Sequence, residues 1–308
     1  MHFQWYPGHM TKAKRMMQEN MKLVDLVIEL VDARIPLSSR NPDIDELGKN
    51  KARLILLNKA DLAEERWNDA WEEYFRSKGY FVAKVNSRKN SGMKPVHGVI
   101  QEACKEKTER DRKRGILNRP VRAMVVGIPN VGKSTFINSL AGKACAKTGN
   151  KPGVTKGKQW IRLNKQVELL DTPGILWPKF EDQQVGLMIA FIGSMKDEIL
   201  NTSQLAAELI RMLEENYPGA LNEKYGIEDA AESRGESGEN MNIDMGANEN
   251  TESAKSEDPY RMLERIARSR HCLLRGNELD TEKAAILLLD DFRSGRIGRL
   301  TLEYPQEV

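Results

Sequence analysis

Gly127-Ile128-Pro129-Asn130-Val131-Gly132-Lys133-Ser134 fits the spacing GxxxxGK[ST] at every fixed position. Glycines there let backbone N–H groups close on phosphate oxygens, and a helix that begins at the lysine adds its dipole. The loop suits a nucleoside triphosphate. Lys133 would reach the β- and γ-phosphates and the Ser134 hydroxyl would ligate Mg2+. Asn130, Val131, Gly132 and Thr135 would complete the cradle. A chance match would be a plain tight turn, but an apolar strand before it and a helix after it make the phosphate reading the stronger one.

Three further constellations bear on the same chemistry. Asp171-Thr172-Pro173-Gly174 ends an apolar run, which puts a carboxylate near a magnesium ion and the Gly174 amide where a γ-phosphate can be sensed. Pro152-Gly153-Val154-Thr155 offers a threonine in a loop as a switch ligand to metal and γ-phosphate, with Thr148 as the alternative. Asn58-Lys59-Ala60-Asp61 has the NKxD pattern. A carboxylate at Asp61 can accept from guanine N1–H and its 2-amino group, a pair adenine does not offer. Two charged hydrogen bonds at about 1.5–3 kcal/mol each would select guanine strongly. Asn58 would face the N7 and O6 edge, the stem of Lys59 would cover the base, and Asn86-Ser87 would supply the loop near O6.

Elements must bring these pieces together. Residues 23–32 and 52–57 read as strands buried on both faces. Residues 64–78 read as a helix with Trp67, Trp71, Tyr74 and Phe75 on its core side, followed by a strand at 80–85 and a helix at 92–106. Residues 107–120 read as a charged linker, 121–126 as the strand before the phosphate loop, and 159–163 with 166–170 as an antiparallel hairpin. The fold class is therefore α/β, with a mostly parallel sheet.

The motif order is reversed: the base motif precedes the phosphate loop, whereas in most GTPases it follows. A circular permutation explains this, with the usual termini joined through 107–120 and the chain cut after the DTPG motif. The expected organisation is a permuted GTPase domain at 1–178 and a small all-helical domain at 179–308. An acidic insertion, read as disordered, occupies 228–258 of the second domain. Asp258-Pro259 reads as an N-cap with proline at N1.

Charge is distributed unevenly. Residues 228–258 carry ten acids against two bases, while 88–122 and 143–165 are each net +7. Two basic blocks and a basic N-terminus favour a polyanionic partner over plain solvated surface. Cys104, Cys145 and Cys272 are too few and too scattered for a disulfide framework, and no CxxC pair supports a zinc knuckle. No signal peptide or 18-residue apolar run is present, so the expectation is a reduced, cytoplasmic, soluble protein without a membrane or DNA partner. No oligomer is predicted.

WYPGHM with Lys12, VDARIPLSSRNP, NKAD, GIPNVGKST, PGVT, DTPGILWPKF and DFRSGRIGRLTLE together resemble the circularly permuted ribosome-assembly GTPases of the ribosome biogenesis GTPase A family. The likeness spans nearly the whole chain except the acidic stretch. It implies a GTPase of late large-subunit (50S) maturation whose helical domain contacts ribosomal RNA. It also places His9 near the γ-phosphate side, where it would orient water or shuttle a proton, against the plain readings of an RNA contact or a surface turn. Ile175 stands where many GTPases carry a water-orienting glutamine, and relatives activated by K+ use a residue at the position of Asn130 for that ion. A simple loop hydrogen bond is the alternative for Asn130. Three other functions stand beside this one: an RNA-binding chaperone with incidental hydrolysis, a permuted GTPase of the small subunit, and an ATP-dependent enzyme, which NKAD opposes.

Overall fold

The computed structural model describes residues 9–117, 119–146, 159–172, 182–195, 200–227 and 258–305, with side chains of the first helix from residue 15 onward. Its sheet comprises β1 (Leu26–Asp32), β2 (Ala52–Asn58), β3 (Phe81–Val85), β4 (Val121–Val126), β5 (Gln159–Arg162) and β6 (Val167–Asp171). The spatial order is β3-β2-β1-β4-β6-β5, parallel throughout except for the β5–β6 hairpin. Asn164 shapes that hairpin by accepting from the Gln166 and Val167 amides at 2.7 and 2.9 Å. Around the strands lie α1 (His9–Met21), α2 (Asp43–Leu47), α3 (Glu65–Ser77), α4 (Met93–Ala103), α5 (Lys105–Lys113), α6 (Lys133–Ala141) and α7 (Gln183–Phe191).

Parallel pairing sets the functional edge. Asp32 lies opposite Asn58, Asn58 opposite Val85, and Val125 opposite Asp171. The carboxyl ends of five strands thus share one edge, where open parallel sheets receive ligands. Chain order is irrelevant to this arrangement, so a permuted chain builds the same edge.

Two apolar clusters flank β1 on one face. Val27 joins Met17, Met21, Met124 and Leu170; Val31 joins Ile55, Leu57, Trp71 and Phe75. Between them on the same side of the strand stands Glu29, only 1% exposed. Its carboxylate receives Arg40 at 3.1 Å and Arg53 at 3.0 Å, and the Asn41 amide at 3.3 Å. Arg40 also lies over the Tyr80 ring.

Three local features differ from the sequence reading. His9 does not sit in a turn but begins α1, whose Met17 and Met21 help to seal the sheet. The first part of the linker is helical: in α5, Lys107 pairs with Asp111 at 2.7 Å and Thr108 bonds back to the Cys104 carbonyl. Gly115, at φ +76°, ends that segment. The linker is also pinned, because Lys107 reaches the buried Asp25 at 3.1 Å.

The division of the chain also falls elsewhere than at 178. One compact unit is Met1–Ile199 with Arg299–Val308, and the other is Leu200–Gly298. α7 belongs to the first unit, and the chain returns to that unit at its end. The second unit contains α8 (Thr202–Asn216), α9 (Ala220–Tyr225), α10 (Pro259–Ser269) and α11 (Thr281–Ser294). Asn201, Asp258 and Asp280 cap three of these helices, Asp258 with Pro259 at the first turn. Leu205, Leu209, Leu263, Ile266, Leu288 and Phe292 form its core, beside a Tyr225–Asp291 hydrogen bond of 3.0 Å. Residues 228–257, most of the acidic insertion, lie outside the described residues.

Glu29→Ala should leave Arg40 and Arg53 with one fewer buried partner, at a cost of about 3–5 kcal/mol typical of a broken buried pair. Urea denaturation with an unchanged slope checks this. A loss below about 1 kcal/mol would show that Asp45, which also contacts both arginines, suffices alone.

Candidate nucleotide site

The loop 127–132 leaves β4 and enters α6 at Lys133, as phosphate binding requires. Two of its glycines are demanded by close approach. A Cβ on Gly127 would stand 2.6 Å from the Leu30 carbonyl, and one on Gly132 would stand 2.5 Å from the Asn58 amide nitrogen. Both also hold φ values, +151° and +99°, that favour glycine. Lys133 is buried and donates to the Gly127 and Ile128 carbonyls at 3.0 and 2.9 Å. Burial lowers its pKa to about 8, opposed by Asp171. Ser134 and Thr135 follow in the first turn of α6, both half-buried.

Asn58 ties three loops together. Its amide nitrogen donates to the Val131 carbonyl at 2.6 Å, and its oxygen accepts from the Ser87 amide at 3.1 Å and hydroxyl at 2.8 Å. This side chain thus braces the phosphate loop against the base loop. Ser139 of α6 adds a bond to the Ser87 carbonyl at 2.5 Å. Asn86 shapes the base loop, since its oxygen accepts from the Arg88 and Lys89 amides.

Lys59 adopts a left-handed backbone at φ +58° and pairs with Asp32 at 2.9 Å. Asp32 also takes two bonds from the Arg34 guanidinium, at 2.9 and 2.8 Å. Although burial raises the Asp32 pKa, Arg34 and Lys59 outweigh it and hold the carboxyl far below its ordinary value. Asp61 follows on a short 3-10 turn, Ala60–Leu62, its side chain partly exposed and 3.7 Å from Lys89. Nothing in the sequence reading singles out Asp32. The DAR of VDARIPLSS is the available signal, because a buried strand rarely ends in a carboxylate without a partner.

Asp171 is 1% exposed at the end of β6. One carboxylate oxygen has no hydrogen-bond partner among the described residues, and burial raises the pKa, with Lys133 and the Thr172 amide opposing. Thr172 itself bonds to the Val125 carbonyl at 2.7 Å. An orphaned, desolvated carboxylate oxygen beside a phosphate loop fits a hard divalent cation. Mg2+ takes one or two carboxylates together with phosphate oxygens and waters, so a single such oxygen suits it. Asn130, at φ +61°, donates to the Gly193 carbonyl at 2.5 Å, and the Ser194 hydroxyl donates to the Pro129 carbonyl at 2.5 Å. The turn after α7 therefore grips the phosphate loop, a contact with no local sequence signal. Thr155, Thr148, Gly174 and Ile175 lie outside the described residues, as does the His9 side chain.

Phosphates favour the charged form of Lys133, so nucleotide binding above pH 8 should take up a proton. Affinity is expected to fall by up to about tenfold per pH unit from there until the bound-state value is reached. Calorimetry in buffers of different ionisation enthalpy checks this. Flat affinity from pH 8 to about 9.5 would mean that Lys133 is already charged in the free protein.

The family model for a 50S ribosome-binding GTPase matches residues 122–230. Ribosome biogenesis GTPase A of Bacillus cereus is 45% identical over 99% of this chain and 94% of its own length. The Thermotoga maritima protein of that name is 31% identical over 99% and 95%. The mitochondrial ribosome-associated GTPase 1 of Xenopus tropicalis is 33% identical over 73% and 74%. Among solved structures, GNP-bound YlqF from T. maritima matches with a TM-score of 0.61 at 26% identity, covering 96% of this chain and all of that one. With its phosphate loop, base motif and buried aspartate gathered on one sheet edge, the chain is a GTPase and belongs to the ribosome biogenesis GTPase A family.

Proposed function

We propose that this GTPase is a slow, partner-stimulated switch in late maturation of the large (50S) ribosomal subunit, gripping the subunit and its rRNA according to nucleotide state. The observation that carries the site is the Asn58 brace, which joins a base motif and a phosphate loop that lie far apart in reversed order. A bacterial relative named for ribosome biogenesis and a mitochondrial one named as ribosome-associated support the ribosomal partner.

Within the site, Asp61 accepts from the guanine ring, Lys59 covers it, and the loop at Asn86-Ser87 bounds its O6 side. Amides of residues 130–135 cradle the phosphates, and Lys133 exchanges its two loop carbonyls for phosphate oxygens. Ser134, Asp171 and Thr155 hold Mg2+, which neutralises charge on the phosphates when bound. Gly174 senses the γ-phosphate. Ile175 cannot orient water, so His9 takes that role, and the oxygen of Asn130 would hold a K+ ion, which would supply neutralisation of developing charge. The Asn130 nitrogen that holds Gly193 would steady that oxygen.

RNA binding rests on charge. Arg261, Arg265 and Arg268 recur at helical spacing on α10, opposite the apolar Met262, Leu263 and Ile266, and Arg261 and Arg268 are exposed. These arginines and the two basic blocks of the sequence supply positive charge suited to phosphate and splayed bases. If 6–10 phosphates are neutralised, affinity for 50S particles should drop about 10³–10⁵-fold between 50 and 200 mM salt. It should be higher with a GTP analogue than with GDP, because Thr155 lies inside the second basic block. Sedimentation with purified 50S particles reads both. Equal binding with the two nucleotides at every salt concentration, together with normal assembly by Lys133→Ala, would instead identify a passive RNA chaperone.

Asp61→Asn should weaken GTP binding and raise binding of xanthosine triphosphate, whose C2 carbonyl pairs with the amide. Unchanged GTP affinity would remove Asp61 from the base site.

A further inference from the structure

Residues 300–304 follow the helical unit in sequence yet belong to the unit that carries the nucleotide site. They form neither helix nor strand, so their order needs another explanation. Their polar groups supply it. The Leu300 amide donates to the Leu62 carbonyl at 2.9 Å, and the Thr301 hydroxyl accepts from the Glu64 amide at 3.2 Å. The Leu302 amide donates to the Arg34 carbonyl at 3.0 Å. Glu303 accepts from the Leu37 amide at 2.6 Å, the Ser38 amide at 3.0 Å and the Ser38 hydroxyl at 2.6 Å. Its carbonyl accepts from the Trp71 indole at 2.9 Å, and Tyr304 packs on Trp67 with ring centres 4.6 Å apart. Leu300, Thr301 and Leu302 are at most 5% exposed.

The partners of this segment are not arbitrary. Leu62 closes the 3-10 turn that carries Asp61, and Glu64 follows it. Arg34 is the residue whose guanidinium fixes Asp32, and Asp32 fixes Lys59. One short segment therefore holds the backbone beneath Asp61 from one side and the support of Lys59 from the other.

We propose that residues 300–303 are a strap that positions Asp61 and Lys59 for guanine recognition, making the C-terminal segment a specificity determinant of the nucleotide site. This rests on reading Asp61 as the acceptor for the base. The strap touches no phosphate-loop residue in any of these bonds, so its effect is on the base and is common to GDP and GTP. Because inosine nucleotides lack the 2-amino group, they report the Asp61 contact directly. A carboxylate displaced by loss of the strap forfeits much of that contact with guanine and has less to forfeit with hypoxanthine. Only four residues, 295–298, separate α11 from Arg299. The helical unit thus has a short covalent line to the base site, while the turn after α7 bonds to the phosphate loop.

Affinities of the full-length protein for GDP, GTP, IDP and ITP, measured by calorimetry for wild type, Thr301→Val, Glu303→Ala and Asp61→Asn, test this. Thr301→Val keeps shape in a fully buried position and removes the hydroxyl that accepts from the Glu64 amide, so it decides the matter by itself if Glu303→Ala does not fold. Strap variants should bind GDP and GTP about fivefold more weakly to equal extents, the cost of one displaced hydrogen bond, and should show a reduced GDP-to-IDP preference. A strap that merely stabilises the fold would lower the melting temperature and leave that preference at the wild-type value. If Asp61→Asn alone reduces the preference and both strap variants keep it, the strap inference is overturned. If Asp61→Asn itself leaves the preference unchanged, the reading of the base site fails first.

Discussion

Everything at the nucleotide edge depends on one carboxamide. Asn58 spends its nitrogen on the phosphate loop and its oxygen on the base loop. It can do so only because Gly132 has no Cβ where the amide lies. A neutral side chain suits this role, since it offers donor and acceptor together without the desolvation cost of a charge. The brace also explains why permutation is harmless. Asn58 and Val131 meet because β2 and β4 both border β1, and that adjacency survives any choice of where the chain begins.

Much of this is legible locally. Apolar β-branched runs mark the strands, and the phosphate loop, NKAD and Asp171 are each readable because their residues act near their own place in the chain. The core side of α3 is readable too, with Trp71 and Phe75 fully buried. What the sequence hides has long-range causes. Nothing near Glu303 says that its carboxylate meets Ser38, and nothing near Ser194 says that it meets Pro129. α5 is hidden for the opposite reason: KEKTERDRK is polar on all sides, so it lacks the apolar stripe that reveals a helix. Its support is local, from a Lys107–Asp111 pair and a good run of helix formers. α1 is similar, with a sealing face made mainly of methionine, which gives a weak periodic signal.

The phosphate loop is held from both sides of the permutation. Asn58 arrives from a motif that precedes it in the chain, and Gly193 and Ser194 arrive from the turn after α7. The helical unit begins at Leu200, a few residues beyond that turn. In an unpermuted chain, the segment after the DxxG motif would continue into the next strand of the sheet. Here it is released to carry another unit, with its first turn already bonded to the loop that meets phosphate. The permutation therefore changes what the edge is wired to while leaving the edge itself intact.

Two aspartates at this edge show how similar burial gives different chemistry. Asp32 and Asp171 end strands that both border or nearly border the centre of the sheet, and both are almost fully enclosed. Desolvation raises both. At Asp32 it is overcome by two cations in direct contact, so the carboxylate is ionised and its oxygens are occupied. At Asp171 the opposing cation, Lys133, donates its hydrogen bonds to loop carbonyls instead, and burial prevails. A carboxylate already paired with arginine and lysine gains little from a further cation. One that is desolvated and lacks a donor on one oxygen gains a great deal. The first therefore serves as scaffold for Lys59. The second keeps one oxygen without a donor among the described residues, the condition a divalent-cation ligand needs.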